Sequence, residues 1–316
     1  MIDGTVIKST GSWYIVKTND GNEVPCRIKG KFRLGKLKVT NPVAVGDKVA
    51  VNIEKDEITV GTITKIYPRT NYVIRQSPRK KHFVHLLASN IDQAIVIVTL
   101  REPSLKIGFI DRFLLMIEPY SIPAVIVFNK TDLHKPEDQE YLFSIISIYT
   151  NIGYKVLLTS NETEDGIENF RAILKDKITL ICGQSGVGKS TLINSIVPQL
   201  DLRTFEISEY SGKGQHTTTF AEMYSLENGG QIIDTPGIKT LGFNHFEELD
   251  VAHNFREFFI TSKNCKYNNC MHRNEPNCAV KTAIENGEIS ELRYENYIAI
   301  LEEVEDQNYW EIKKDI

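Results

Sequence analysis

The sequence predicts a multidomain protein with an N-terminal β-barrel, a central α/β domain built on a parallel sheet, and a C-terminal α-helical domain that holds a cysteine cluster. Three observations predict this organisation. Short β-rich runs separated by glycines extend to about residue 68, strands alternate with helical segments up to about residue 245, and a polar helical segment containing three cysteines follows. We therefore expect domains at 1–68, 69–245 and 246–316. The chain has 316 residues, the length of roughly two or three domains.

The composition is that of an ordinary globular protein. The chain is 41% hydrophobic and 25% charged, so wholesale disorder is not expected. The sequence contains no run of about 18 apolar residues, so a transmembrane helix is not expected. The N-terminus lacks the basic-then-apolar pattern of a secretory signal. We expect a cytoplasmic protein with no membrane partner, and a monomer, because nothing in the sequence indicates an oligomer.

The first 68 residues alternate β-rich runs, such as 13–16 and 48–51, with glycines. This spacing predicts a small barrel, and the OB-fold is a common barrel of this size that binds RNA and single-stranded DNA. Residues 1–90 hold 16 Lys and Arg against 7 Asp and Glu, whereas the rest of the chain holds 21 against 34. Basic side chains cluster in one segment: Arg27, Lys29, Lys31, Arg33, Lys36 and Lys38. We expect this barrel to bind RNA, and a β-domain for protein contacts is the alternative.

Residues 183–191 have the pattern of a phosphate-binding loop. The run consists of Gly183, Gln184, Ser185, Gly186, Val187, Gly188, Lys189, Ser190 and Thr191. It matches G-x-x-x-x-G-K-[ST] between a predicted strand and a predicted helix, where backbone N–H groups and the helix N-terminus face phosphate oxygens. Lys189 is expected to contact the β- and γ-phosphates during catalysis, and the Ser190 hydroxyl to bind Mg²⁺.

A second phosphate-site motif runs from Asp234 to Gly237 after a predicted strand at 231–234. A carboxylate at a strand end beside a phosphate loop is typical of the Asp that holds Mg²⁺ in P-loop proteins, so Asp234 is expected in that role. Gly237 lets a backbone N–H approach the γ-phosphate closely.

Residues 129–132 read Asn-Lys-Thr-Asp after a predicted strand at 124–128. Guanine offers an exocyclic amine and a ring N–H on one edge, and one carboxylate accepts both hydrogen bonds, which adenine cannot supply. Asp132 is therefore expected to select guanine, Asn129 to brace neighbouring loops, and Lys130 to lie along the base, with Thr131 between them. Ser160 follows another predicted strand, in the position of a second base-contacting loop.

Glycines and hydroxyls dominate residues 212–219, between the phosphate loop and Asp234. Such a segment can order around Mg²⁺ and the γ-phosphate, and one threonine hydroxyl is expected to complete the metal shell. Thr217 and Thr218 are both candidates, and the sequence does not decide between them.

Four of the Cys and His side chains lie within 14 residues: Cys265, Cys270, His272 and Cys278. Three thiolates and one imidazole suit tetrahedral Zn²⁺ in a closed structural site. An odd number of clustered cysteines without a secretory signal favours metal binding over disulfides.

The order of the motifs is unusual, because the guanine-reading residues 129–132 precede the phosphate loop, as in a circularly permuted GTPase. A basic barrel, a permuted GTPase domain with GQSGVGKS and G-x-HTTT, and C-x4-C-x-H-x5-C follow one another over essentially the whole chain. Together they resemble the bacterial RsgA family of small-ribosomal-subunit biogenesis GTPases. The resemblance implies an OB-fold, a permuted GTPase domain, a zinc domain, and cytoplasmic GTP hydrolysis stimulated by the small subunit and its rRNA during late maturation. Gln215 stands where the family often has a basic residue, which puts an RNA or phosphate contact at that position in doubt.

The hydrolytic residue is less apparent. Ras-like enzymes place a Gln just after D-x-x-G to orient the attacking water, and this chain has Ile238 there. His216, beside the threonines, is the candidate substitute, and the family pattern also has a His at this position. We predict slow hydrolysis by the protein alone and faster hydrolysis on the ribosomal subunit. A GTP-gated RNA-binding module with incidental hydrolysis and a nucleotide-dependent metallochaperone are the alternatives.

Overall fold

The structure is a computed structural model that describes residues 1–28, 41–54, 60–76, 84–197, 221–234, 243 and 246–312. Its first five strands form a closed barrel. They are β1 (Ile2–Ser9), β2 (Tyr14–Thr18), β3 (Glu23–Ile28), β4 (Lys48–Glu54) and β5 (Val60–Ile66). The strand order is β1-β2-β3-β5-β4, and β4 closes back on β1. Only β3 and β5 are parallel within this barrel. The predicted small barrel is therefore confirmed, and it has five strands among the described residues.

Alternation along the barrel strands sends every second side chain inward. The inward set forms a separate apolar core that includes Val6, Tyr14, Val16, Val49 and Ile63. A hairpin of β6 (Tyr72–Gln76) and β7 (Val84–Ser89) then leads to the second domain. The sequence patterns did not predict this hairpin.

The central domain is a six-stranded sheet with helices on both faces. Its strands are β8 (Gln93–Thr99), β9 (Ala124–Asn129), β10 (Lys155–Leu158), β11 (Ile178–Gly183), β12 (Glu222–Ser225) and β13 (Gln231–Asp234). Their order is β10-β9-β8-β11-β13-β12, and only β12 is antiparallel to its neighbour. The helices are α1 (Ile107–Ile117), α2 (Gln139–Asn151), α3 (Ile167–Leu174) and α4 (Lys189–Ile196). All of β8 is buried, as expected of a parallel strand covered on both faces.

The C-terminal part consists of α5 (Glu248–Asn254), α6 (Arg256–Ser262), α7 (Ala279–Glu285) and α8 (Glu291–Ile312). The last helix, α8, is the longest of these and has 22 residues. Residues of α5 to α8 pack into the same apolar core as α1, β8 and β9, so these helices lie directly on the α/β domain.

Strand β12 also pairs with β1 of the barrel through Lys8 and Glu222. The barrel and the central sheet are therefore joined into one 11-stranded sheet. Across the parts of the chain that the structure describes, none of the helices is long and apolar enough to cross a membrane.

Candidate functional site

The predicted nucleotide residues lie at the carboxyl ends of neighbouring strands. Asn129 ends β9, Gly183 ends β11, and Asp234 ends β13. Asp234 is directly opposite Ile181 on the neighbouring strand β11. Ligands of open parallel sheets bind at this edge, where the strands lead into loops.

The phosphate loop has the tight backbone that its glycines predict. Gly186 and Gly188 have φ of 84° and 85°, in the left-handed region that favours glycine. A Cβ on Gly183 would lie 2.5 Å from the Ile97 carbonyl oxygen, and one on Gly188 would lie 2.5 Å from Asn129 Nδ2. Larger residues would therefore push the loop away from the strands. Gly188 also precedes α4, whose first N–H groups have no partner within the helix and face the loop.

Lys189 folds back across the phosphate loop. Its Nζ donates to the carbonyl oxygens of Gly183, at 2.8 Å, and Gln184, at 2.7 Å. Burial lowers the pKa of Lys189, and the negative charge of Asp234 partly opposes this shift. Burial likewise raises the pKa of Asp234, and Lys189 opposes that shift. The two opposite charges thus stabilise each other in a poorly solvated site. Ser190, the second residue of α4, lies next to Lys189.

Asn129 connects the 129–132 segment to two other loops. Its side chain is 2% exposed, and its Nδ2 donates to the Val187 carbonyl oxygen at 2.9 Å. Its Oδ1 accepts from Thr159 Oγ1 at 2.9 Å. The phosphate loop, the 129–132 segment and the loop after β10 are therefore tied by one amide. Such a bracing role is what the sequence predicts for Asn129.

Asp132 and Ser160 lie together at the mouth of this site. Ser160 Oγ donates to Asp132 Oδ1 at 2.5 Å, while the Asp132 side chain remains exposed. Thr131 N donates to the Thr159 carbonyl oxygen at 3.2 Å, which fixes the segment. The hydrogen bond orients the Asp132 carboxylate and leaves it accessible to a base.

Lys130 has a contact that the sequence did not reveal. It has φ of 62°, and its Nζ donates to the Glu102 carbonyl oxygen at 2.8 Å. Glu102 lies in the loop between β8 and α1, which has no recognisable nucleotide motif. A backbone carbonyl carries no residue-type signal, so only the folded chain could identify it.

The four Cys and His side chains converge. Their ligand atoms all lie within 4.8 Å of one another. His272 Nδ1 is 3.4 Å from Cys278 Sγ and 3.8 Å from Cys265 Sγ. Zn–S and Zn–N bonds of about 2.3 and 2.1 Å place tetrahedral ligands about 3.6–3.8 Å apart, so the geometry suits such an ion. The cluster can therefore hold a metal ion.

Helix α8 supports the loop that carries the cluster. Tyr294 Oη donates to the His272 carbonyl oxygen, and Tyr297 Oη to that of Met271, each at 2.8 Å. Burial raises the pKa of Cys270 to about 12 and also raises that of Cys278. A metal ion must therefore displace protons from these thiols when it binds.

Four further predicted residues, His216, Thr217, Thr218 and Gly237, lie outside the described residues, as do Gln215, Ile238 and the basic residues from Lys29 to Lys38. Their predicted roles remain predictions.

A P-loop sheet in which the Asn-Lys-Thr-Asp strand β9 precedes the phosphate-loop strand β11 defines the class of protein: a circularly permuted GTPase. The RsgA GTPase family model matches residues 66–244, and the RsgA N-terminal domain model matches residues 3–63. The chain belongs to the RsgA family of GTPases, and the predicted family, fold class and GTP-hydrolysing activity are confirmed.

Relatives resemble the chain over nearly its whole length. The small ribosomal subunit biogenesis GTPase RsgA of Bacteroides fragilis (strain ATCC 25285) is 49% identical over 306 residues, 97% of this chain and 98% of that protein. That of Cytophaga hutchinsonii is 50% identical over 298 residues, 94% and 97% of the two chains. The crystal structure of YjeQ from Thermotoga maritima has a TM-score of 0.75 at 34% identity, covering 96% and 98%. That of YloQ, a circularly permuted GTPase, has a TM-score of 0.72 at 32% identity, covering 97% and 96%.

Proposed function

We propose that this protein hydrolyses GTP as a late-stage assembly and maturation factor of the small ribosomal subunit, and that the subunit stimulates its GTPase activity. The observation that carries the proposal is the full-length similarity to small ribosomal subunit biogenesis GTPases, 49% identical in Bacteroides fragilis. Its partners are GTP, GDP, and the small subunit with its rRNA. It acts in the cytoplasm as a monomer.

The phosphate end of GTP is held by the loop at 183–191, with the Lys189 ammonium on the β- and γ-phosphates. Lys189 Nζ now donates to two loop carbonyl oxygens, so it already lies over the loop. The Ser190 hydroxyl and the hydroxyl of either Thr217 or Thr218 would bind Mg²⁺, and the Asp234 carboxylate would help to hold the ion. Hydroxyl and carboxylate oxygens are the hard ligands that Mg²⁺ prefers. The ion, when bound, offsets phosphate charge.

The guanine base is selected by Asp132, whose exposed carboxylate accepts from the exocyclic amine and the ring N–H. Support comes from Ser160, which orients that carboxylate, and from Asn129, which ties the segment to the phosphate loop. The backbone of Gly237 contacts the γ-phosphate. These roles explain why GTP and GDP are the nucleotides bound.

The attacking water is oriented by His216, because Ile238 stands where Ras-like enzymes have a Gln. Contact with rRNA brings the segment 212–219 into the productive arrangement, which makes hydrolysis depend on the subunit. The basic barrel supplies the RNA contact, and Arg27 is exposed on β3. The Cys265, Cys270, His272 and Cys278 cluster holds one structural Zn²⁺, since all four positions come from the protein.

The deciding experiment measures GTP turnover by the full chain alone and with isolated small subunits, large subunits or free RNA. Of the three additions, we expect only the small subunits to raise the rate of GTP turnover. Equal rates in all four mixtures would contradict the proposed function. Subunit binding that depends on GTP but leaves turnover unchanged would favour a GTP-gated RNA-binding module.

The role of His216 has its own test. His216→Ala should bind GTP normally and lose most of the subunit-stimulated rate, because removing a positioned general catalyst typically costs about 10²–10⁴-fold. The matched control is His134→Ala, since His134 lies outside the segment 212–219 that is predicted to order around the γ-phosphate. Normal stimulated turnover by His216→Ala would exclude this role.

A further inference from the structure

Two contacts between the barrel and the GTPase domain, both among the residues that the structure describes, differ in character. The first is a buried contact between residues 43–47 and the end of β7. Asp47 accepts from Arg69 Nε and from Ser89 Oγ, both at 2.6 Å. A Cβ on Gly46 would lie 2.1 Å from the Ser89 carbonyl oxygen, so the two segments are tightly packed. This contact is a fixed attachment of the barrel.

The second contact joins β1 to β12 and is much smaller. One residue pair, Lys8 and Glu222, is in register between these strands. Lys8 Nζ lies 2.9 Å from Glu222 Oε2, with the two side chains 39% and 26% exposed. This ion pair is much more exposed than the attachment at Asp47, where the Arg69 and Asp47 side chains are 6% and 0% exposed.

A β-bulge in β1 directs Lys8 toward the GTPase domain. Val6 pairs with Val16 and Lys8 pairs with Ile15, so Ile7 is the extra residue. Bulges of this kind re-aim side chains. Without the bulge, Lys8 would share the inward face of Val6, which is buried in the barrel core. Instead, both Ile7 and Lys8 face outward, and Ile7 packs against the large apolar core that includes the GTPase domain and the C-terminal helices.

Glu222 connects Lys8 to the phosphate site. It lies directly opposite Lys8 on one side and directly opposite Asp234 on the other. Directly opposed residues on antiparallel strands share a face, so the three charges form a row. Burial raises the pKa of Asp234, Lys189 lowers it, and the charge of Glu222 raises it again. The charge of Glu222 thus acts on the Asp234 carboxyl group, and Lys8 is the cation paired with Glu222.

Glu222 is also close in sequence to the segment 212–219, which is predicted to order around the γ-phosphate. Only two residues separate it from Thr219, the last residue of that segment. The barrel strand β1 pairs with β12 at Glu222.

We propose that the β1–β12 contact, held by Lys8, is the interface through which the bound nucleotide changes the affinity of the barrel for RNA. Lys8 is a positioning residue in this coupling and touches no nucleotide. The inference rests on the proposed function, because it takes Asp234 as part of the phosphate site.

The test compares binding of the full chain to isolated small ribosomal subunits in the presence of a non-hydrolysable GTP analogue and of GDP. The ratio of the two affinities measures the coupling. Lys8→Glu places like charges opposite each other, and the exchange Lys8→Glu with Glu222→Lys restores an opposite pair. We expect Lys8→Glu to lower the ratio by roughly two- to tenfold and the exchange to restore it.

Lys65→Glu is the matched control, because Lys65 lies on β5 of the same barrel, away from β12. It should lower both affinities and leave the ratio unchanged. If Lys8→Glu gives too little folded protein, Lys8→Met removes the charge while keeping most of the aliphatic stem, and should also lower the ratio. An unchanged ratio in a folded Lys8 variant, or a wild-type ratio of one, would overturn the coupling. Absence of wild-type binding in both nucleotide states would instead contradict the proposed function.

Discussion

Asn129 shows how much one buried side chain contributes to the nucleotide site. Its amide uses both ends, donating to the Val187 carbonyl oxygen and accepting from Thr159 Oγ1. Three loops from three strands are therefore held in one arrangement before any ligand binds. Burial makes these bonds valuable, because a buried polar group that loses its partner costs about 1–3 kcal/mol.

We predict that Asn129→Ala destabilises the fold by about 2–4 kcal/mol, since the Val187 carbonyl and the Thr159 hydroxyl both lose a partner. GDP affinity should fall as well, because the phosphate loop and the 129–132 segment are no longer tied. Urea unfolding and fluorescent-GDP titration measure the two effects. Asn161→Ala is the control, because the Asn161 amide is exposed and makes one long bond, 3.3 Å to the Thr191 carbonyl oxygen. Equal losses in both variants would contradict the bracing role.

At the scale of elements, the metal cluster depends on α8 as much as on its own loop. The loop between α6 and α7 has few regular hydrogen bonds, and the Tyr294 and Tyr297 hydroxyls fix two of its carbonyl groups. His272 has φ of 58°, a conformation that costs energy for a non-glycine residue. Four converging ligands can offset that cost when a metal ion is bound.

We predict that the proposed zinc site releases its ion more readily as the pH falls. Burial raises the pKa of Cys270 and Cys278, so protons compete for these thiols, and lower pH favours the protonated, metal-free form. Zinc release to a chromophoric chelator between about pH 8 and 5 measures this dependence. Cys270→Ala should release zinc over the whole range. Cys26→Ala is the control, because Cys26 is buried in the barrel core and should release zinc as the wild type does. Zinc retention independent of pH would contradict the prediction.

For the whole molecule, a buried guanidinium connects the C-terminal helices to the GTPase domain, in addition to the apolar core that they share. Arg293 on α8 pairs with Asp111 on α1 through Nη1 and with Glu257 on α6 through Nε, at 2.5 and 2.7 Å. Tyr149 on α2 and Asn296 on α8 also donate to the Asp111 carboxylate. Separating the helices would leave several charges without partners, so the metal-binding part and the GTPase domain share one folded unit of stability.

We predict that Arg293→Met destabilises the protein by about 3–5 kcal/mol, because Asp111 keeps a buried charge without its cation. Loss of zinc-cluster structure and of nucleotide binding should occur at the same urea concentration. Arg112→Met is the matched control, because the Arg112–Glu303 pair joins the same two helices but its side chains are 26% and 33% exposed. That variant should lose about 1 kcal/mol or less. Separate unfolding transitions for the two functions in the wild type would contradict the shared unit.

The sequence by itself determined the family, the fold class and the GTP-hydrolysing activity of this protein. The motifs are contiguous or closely spaced runs: the phosphate loop, the 129–132 segment and the Cys and His cluster. Their residue types and spacing predict which kind of ligand each one binds. Their order along the chain also revealed the permutation, because it needs no coordinates. A small barrel also followed from the β-rich runs separated by glycines.

Only the tertiary structure decided how these parts act on one another. The pairing of Lys8 with Glu222, the contact of Lys130 with the Glu102 carbonyl oxygen, and the burial of Arg293 against Asp111 join residues 28 to 214 positions apart. Such contacts depend on strand register, on a one-residue bulge and on helix packing. Local residue patterns carry little information about these features. A lysine in a barrel strand and an arginine in a C-terminal helix read as ordinary surface charges until the fold shows what each one faces.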